Sequence, residues 1–170
     1  PEDYNFAPTD LAALIANVMF EFTNQAASKK ITLGFDRPVN PLPAAEIDEG
    51  KIRMMLENLI DNAIKYTPKE GKITISLSDR RLNTAQPAVE IKVADTGVGI
   101  PPEEQKKIFH KFFRASNARR AEPDGSGLGL YIAHDIVERH QGVMHFESEE
   151  GKGTVFHVAL PLRQASQLVV

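Results

Sequence analysis

No cysteine occurs in these 170 residues. That absence excludes disulfides, thiol nucleophiles and Cys-ligated metal, and it is compatible with the cytosol. No apolar run approaches the roughly 18 residues that span a bilayer, and no signal peptide opens the chain. Charge of neither sign dominates: 20 Lys and Arg against 23 Asp and Glu leave −3, which gives no global electrostatic case for nucleic acid. Five histidines stand at 110, 134, 140, 145 and 157 without a His-x-x-x-His pair, which argues against zinc. There is no Walker A sequence, no dinucleotide G-x-G-x-x-G after a strand, no recognisable motif for nucleophilic or paired-carboxylate hydrolysis, and no internal repeat. The chain begins at Pro1 rather than Met and reads as a piece of something longer.

What is present is globular. Hydrophobic residues at 42% and charged residues at 25% suit one domain with a real core. Pro8 with Thr9 or Asp10 marks a capped start, and Leu11, Leu14, Ile15, Val18, Met19 and Phe22 form a helical stripe, so a helix is predicted within 8–29. Ile31, Leu33 and Phe35 alternate as a short strand, and 37–45, with three prolines, reads as a loop. Residues 72–78 and 89–93 alternate apolar with polar around a turn at 83–87. Such half-polar strands suit an antiparallel sheet with one face on helices and one in water. A short helix ending at Ile108 and Phe109, a mobile loop over 111–124, a helix striped by Ile132, Ala133, Ile136, Val137 and His140 and ended by Gly142, and a hairpin of 143–148 with 154–160 complete the reading. The expected fold is α+β, a two-layer α/β sandwich with a mixed, mostly antiparallel sheet on about three helices. Residues 1–162 form the expected domain and 163–170 a tail.

The chemistry gathers around one helix, capped by Asp48 and stopped by Pro68. Its apolar residues Ile52, Met55, Leu56, Leu59, Ile60, Ala63 and Ile64 make a core-facing stripe. Asn58, Asn62 and Lys65 run along a flank about 130° away. Two Asn in a helix interior cost propensity and need a reason; Asn62 can lend an amide oxygen to Mg²⁺, which usually shares substrate phosphates. Asp95 follows Val89, Ile91 and Val93 in one register, so period 2 aims its carboxylate inward at a strand end. There it suits an exocyclic amine such as that of adenine, or simply caps a turn. Gly97 and Gly99 then let backbone come close. Gly125-Ser126-Gly127-Leu128-Gly129 leads into a helix, where free N–H groups can take phosphate. Between the glycine stretches, residues 105–121 carry Lys106, Lys107, Lys111, Arg114, Arg119 and Arg120 and no acid, which favours a polyanion such as triphosphate.

Taken in order, these pieces resemble the ATP-binding catalytic domain of bacterial sensor histidine kinases, in the superfamily that includes DNA gyrase and the heat-shock and mismatch-repair ATPases, whose shared architecture is the Bergerat-type ATP-binding fold. Asn58-Leu59-Ile60-Asp61-Asn62-Ala63-Ile64-Lys65-Tyr66-Thr67 resembles the family's N box, and Asp95-Thr96-Gly97-Val98-Gly99-Ile100 its G1 box. Ile108-Phe109-His110-Lys111-Phe112-Phe113-Arg114 resembles the F box, Gly125 to Leu130 the G2 box, and Gly151-Lys152-Gly153-Thr154 the later Gly-x-Gly-Thr turn. The similarity runs from about Phe6 to Pro161.

The resemblance implies ATP and Mg²⁺ as ligands. Asn62 would hold the metal, with Asn58, Lys65 and Tyr66 near the phosphates. Asp95 would accept from the adenine amine, with Gly97, Gly99 and Ile100 shaping the base pocket and Thr154 beside it. Lys111 and Arg114 would approach the terminal phosphates, and Gly125, Ser126, Gly127, Leu128, Gly129 and Leu130 would line the phosphate edge. Asn58, Lys111 and Arg114 would serve the transfer itself. Lys111 stands where the family more often has Arg, His110 where it has an acid, and Gln141-Gly142 replaces the usual Gly-Gly, with Gly142 expected to supply the turn. The family's phosphoacceptor His segment occurs nowhere in the chain.

The implied activity is transfer of the γ-phosphoryl group to a histidine on a separate dimerisation domain, with a response regulator downstream. The setting is cytoplasmic, with a parent that is soluble or membrane-anchored, and the chain by itself is expected to be monomeric. Two alternatives are a nucleotide-sensing or anti-sigma-like kinase module and an ATP hydrolase. Against the hydrolase, Asn58 stands where such relatives carry a Glu, and an amide cannot take water's proton.

Overall fold

In a computed structural model, residues 3–82 and 86–164 are described. Positions 83–85 of the expected turn and 165–170 of the expected tail lie outside them. The elements are β1 (Ala7–Thr9), α1 (Leu11–Glu21), α2 (Thr23–Ser28), β2 (Thr32–Asp36), β3 (Ala45–Ile47), α3 (Glu49–Tyr66), β4 (Lys72–Arg81), β5 (Pro87–Asp95), a 3-10 turn (Pro102–Lys107), α4 (Ser116–Ala121), α5 (Gly129–Arg139), β6 (Val143–Glu149) and β7 (Gly153–Pro161). Five strands form one sheet in the order β2-β4-β5-β7-β6. Every pairing is antiparallel except that of β2 with β4. β1 and β3 make a separate antiparallel ribbon. Helices α1, α3 and α5 supply the second layer, which is the expected sandwich.

Helix α3 buries the seven residues of its apolar stripe, Ile52 through Ile64, between that sheet and the neighbouring helices. Its ends follow from chemistry. The Asp48 carboxylate accepts from Lys51 N at 3.0 Å, satisfying one free N–H of the first turn. At the other end Thr67 is extended (ψ 126°), as the residue before Pro68 must be. On the sheet, Ile73, Ile75 and Leu77 of β4 and Val89, Ile91 and Val93 of β5 are buried, the odd register whose last member is Asp95.

Five features depart from the sequence reading. The helix expected within 8–29 breaks at Phe22, whose N–H turns to Met19 O at 3.0 Å, and its cap is Asp10, accepting from Ala13 N. The loop expected over 111–124 contains α4. The outer face of the sheet is only partly left to water: Lys72, Ser78, His145 and Glu147 are exposed, but Glu90 is only 7% exposed, held by Arg80, Lys92 and His157, and His157 stacks on His145 at 4.4 Å. At the end of α5 the left-handed residue is Gln141 (φ 58°), not Gly142. Gln141 N reaches Glu138 O and Gly142 N reaches Val137 O, a Schellman pair with a glutamine in the slot that favours glycine. Gly142 is needed for closeness, since a Cβ there would lie 2.5 Å from Ala159 O. Gln164, assigned to the tail, is buried, its amide donating to His140 O at 3.1 Å.

Candidate functional site

A cavity of about 190 Å³ opens between α3, the end of β5, the segment 108–118 and the start of α5. From α3 it takes Asn58, Asp61, Asn62, Ala63, Lys65 and Tyr66. Asn58 donates through Nδ2 to Met54 O at 3.0 Å, which turns its Oδ1 toward α5. A Cβ on Gly129 would stand 3.1 Å from that oxygen, so glycine here lets the two helices close on the cavity. Lys65 pairs with Asp61 at 2.8 Å across one helical turn. That hydrogen bond, working against desolvation, raises the lysine's pKa and keeps an ammonium at the rim. Opposite stands the first turn of α5, where no side chain caps the helix. Gly129 and Leu130 of that turn line the cavity, which sets the helix's positive dipole end beside it.

The other end is built by Asp95. In the sheet it pairs with Ile73 on one side and Thr154 on the other, so its carboxylate stands where the apolar register meets the cavity. Its Oδ1 accepts from Gly97 N at 2.8 Å and Thr154 N at 3.2 Å, leaving Oδ2 for the cavity. Burial raises its pKa to about 6, against the opposing pull of the Gly97 and Thr154 N–H groups. The glycines after it answer to the protein's own backbone. A Cβ on Gly97 would lie 2.6 Å from Tyr66 O, and one on Gly99 (φ 68°) 2.1 Å from Glu149 O. Ile100 is pinned by its N–H on Ser148 Oγ at 2.8 Å, and the same oxygen bonds Thr154 Oγ1.

Most of the sequence candidates come together here: Asn58, Asn62, Lys65, Tyr66, Asp95, Gly99, Ile100, Arg114, Gly125, Ser126, Gly127, Gly129, Leu130 and Thr154 all line the cavity. Gly97, Lys111 and Leu128 do not. Gly97 is buried, its backbone close to Tyr66 O. The Lys111 ammonium sits over the rings of Phe112 and Tyr131, 5.9 and 5.3 Å from their centroids. Leu128 gives its N–H to Ser126 Oγ at 3.3 Å. Arg114 is a wall residue, yet its guanidinium is engaged within its own loop, donating to Glu122 O, Pro123 O and Ala118 O and to the Tyr66 hydroxyl at 3.1 Å. Phe109 anchors the start of this segment, stacked on His134 at 4.7 Å and edge-on to Phe146.

Sequence reasoning missed several lining residues, Asp61 and Asn117 among the polar ones; Asn117 is the more deeply buried. It lies on α4, lines the cavity, and is only 8% exposed. Six residues reading Ser-Asn-Ala-Arg-Arg-Ala carry no apolar period, so no local signal marks it. Ile108, Phe113 and Phe156 complete an apolar wall. Among the described residues no group of three or more His, Cys, Asp or Glu could hold a metal, and no helix is long and apolar enough to cross a membrane.

A buried carboxylate at one end and free helix N–H groups with an ammonium at the other suit a ligand that is a hydrogen-bond donor at one end and an anion at the other. Comparison with known proteins agrees. The sequence model of the family described as histidine kinase-, DNA gyrase B- and HSP90-like ATPase matches residues 47–164. The chain is 41% identical over 154 residues to the adaptive-response sensory kinase SasA of Synechococcus sp. (strain JA-3-3Ab), covering 91% of this chain and 39% of that protein. It is 39% identical over 122 residues to the sensor histidine kinase WalK of Bacillus subtilis (strain 168), covering 72% of this chain and 20% of that one. The chain thus spans about two fifths or less of these relatives. The solved catalytic domain of histidine kinase ThkA superposes with a TM-score of 0.76 at 31% identity, over 92% of this chain and 97% of that one. Full-length ShkA in complex with AMPPNP gives 0.78 at 29%, over 94% of this chain and 32% of that one. The chain belongs to the histidine kinase-, DNA gyrase B- and HSP90-like ATPase family, which uses ATP, and within it to the catalytic domains of sensor histidine kinases.

Proposed function

We propose that this domain, residues 1–162, binds Mg-ATP and passes the γ-phosphoryl group to a histidine on a separate dimerisation domain of its parent, for relay to a response regulator. The observation that carries this reading is the polarity of this cavity: the Asp95 carboxylate at one end, Asn58, Asn62 and the uncapped start of α5 at the other. Asp95 Oδ2 accepts from the base amine, and Gly99, Ile100 and Thr154 shape the slot around it. The first N–H groups of α5, with Gly125 to Leu130, take phosphate oxygens. Asn62 would hold Mg²⁺ through its amide oxygen, and the ion, when bound, neutralises phosphate charge. Arg114 exchanges its loop carbonyls for phosphate oxygens, the stronger charge-assisted bond, and Lys111 swings from its aromatic seat to join it. Asn58 orients without taking a proton, which favours handing phosphate to a protein over water. Positioning and charge neutralisation do most of the work of such a transfer.

ThkA has been solved in complex with the response regulator TrrA, which supports a regulator as the downstream partner here. Because ATP is supplied in the cytoplasm, the domain works there whether or not its parent is membrane-anchored. Incubated with γ-labelled ATP, the chain alone should take up no acid-labile label. It should label the parent's helical hairpin bearing His-Glu or His-Asp when that domain is added. Mg-ATP binding without labelling of the hairpin would overturn the transfer reading, and label on the chain alone would place the acceptor within it.

A further inference from the structure

A second cavity, of about 290 Å³, opens between the end of α1 and the flank of α3. Its lining is Glu21, Phe22, Met54, Glu57, Asn58 and Asp61. Asn58 and Asp61 line the nucleotide cavity as well, so this groove leads away from the end assigned above to phosphate. Two apolar side chains stand open here without a use in the fold. Met54 is 42% exposed although the apolar stripe of the same helix is buried, and Phe20, which precedes the lining pair Glu21-Phe22, is 78% exposed. The charge of the groove is the reverse of what a nucleotide needs. Arg53 bonds Glu21 at 2.7 Å and Lys65 bonds Asp61 at 2.8 Å, which answers two of its three carboxylates. Glu57 is crowded: burial first, then the Glu21 charge, raise its pKa against the pull of Arg53. A cation brought beside it would relieve that repulsion. By contrast, the stretch 105–121, part of which lines the nucleotide cavity, has no charged residues except cations.

We propose that the groove between α1 and α3 is the docking site for the acceptor helix of the histidine-bearing hairpin, with an apolar stripe on Phe20, Phe22 and Met54 and a Lys or Arg against Glu57. The inference rests on the transfer reading above. An acceptor imidazole has to reach the terminal phosphate, so its helix must cross the surface beside Asn58. Met54 and Asn58 are i,i+4 neighbours, about 6 Å apart, so a helix that sets its histidine at Asn58 passes over Met54. Its cation then falls within about two turns of the histidine. The occupant is not a second nucleotide, which three carboxylates would repel. Nor is it a second copy of this face, since a two-fold contact would set the same carboxylates against each other.

Labelling rates with γ-labelled Mg-ATP, measured as the parent's hairpin is titrated against the chain, test this together with calorimetry of Mg-ATP binding. Phe20→Ala and Glu57→Lys should each raise the KM for the hairpin at least about fivefold, with Mg-ATP affinity within about twofold of wild type. Should Glu57→Lys fail to fold by circular dichroism, Glu57→Gln takes its place beside Phe20→Ala. An unchanged hairpin KM in both variants would overturn the proposal. An equal fall in Mg-ATP affinity would overturn it too, by making the groove part of the nucleotide site. So would an unchanged KM with a concentration-dependent dimer in sedimentation that Phe20→Ala abolishes, which assigns the groove to a second copy. A wild-type chain that binds Mg-ATP and labels no hairpin would remove the transfer reading itself, a result distinct from an unchanged KM in the variants.

Discussion

Replacing Asp95 by Asn should stabilise the nucleotide-free domain while weakening its pocket. Burial outweighs the bonds from the Gly97 and Thr154 N–H groups and raises the Asp95 pKa to about 6, against about 3.9 for a free Asp. At about 1.4 kcal/mol for each pKa unit, ionising this group inside the fold costs about 3 kcal/mol at neutral pH. The folded pKa is the higher one, so the cost is absent below about pH 4, grows as pH rises toward 6, and is constant above. Asn carries no charge, has nearly the same shape, and keeps an oxygen for both N–H groups. In urea titrations without nucleotide, Asp95→Asn should gain up to about 3 kcal/mol at pH 7.5 and about 1 kcal/mol at pH 4.5. Its affinity for Mg-ATP at pH 7.5 should fall at least about tenfold, because an amide N–H then faces the base amine. No gain at pH 7.5, or the same gain at both pH values, would refute the electrostatic reasoning. Unchanged affinity by calorimetry would remove Asp95 from the base end.

Two further substitutions separate the other parts of the molecule. Asn62→Ala should abolish the dependence of ATP binding on Mg²⁺, measured by calorimetry with and without the ion; a dependence that persists would place the metal elsewhere. Gln141→Gly should stabilise the fold by up to about 1 kcal/mol, the left-handed penalty relieved less the chain entropy that glycine adds. A lowered urea midpoint would show that the glutamine side chain contributes more than its backbone strain costs.

Helix α3 is legible in the sequence because its signals agree: a seven-residue stripe, an Asp cap and a following proline. Asp95 is legible because strand period and strand end coincide. The rest depends on contacts between distant segments. Nothing local at Phe22 announces a break, since neither Gly nor Pro stands there. Strands β1 and β3, three residues each, have no room to show a period. Asn117 is polar and flanked by small residues, and only the packing of α4 on the 98–99 backbone makes it buried. Gln141 shows the opposite failure, a neighbouring glycine drawing the left-handed assignment that the Schellman geometry gives to the residue before it. Arg114 and Lys111 are legible as cations of the acid-free stretch 105–121, but their partners in this structure, three carbonyls for one and two rings for the other, are not.

The contacts beneath the glycines bear on how such a chain drifts over evolutionary time. Gly97, Gly99 and Gly153 each stand where an added Cβ would strike fixed backbone, within 2.6 Å of Tyr66 O, 2.1 Å of Glu149 O and 2.0 Å of Asp95 O respectively. At Gly125 the obstacle is only the end of the Arg114 side chain, which can move aside. A descendant that had abandoned its nucleotide would still be held to the first three by folding alone, and would be free to lose the fourth. Retained glycines after the aspartate therefore testify to an intact sheet end, whereas a retained Gly125 is the better witness to a working pocket.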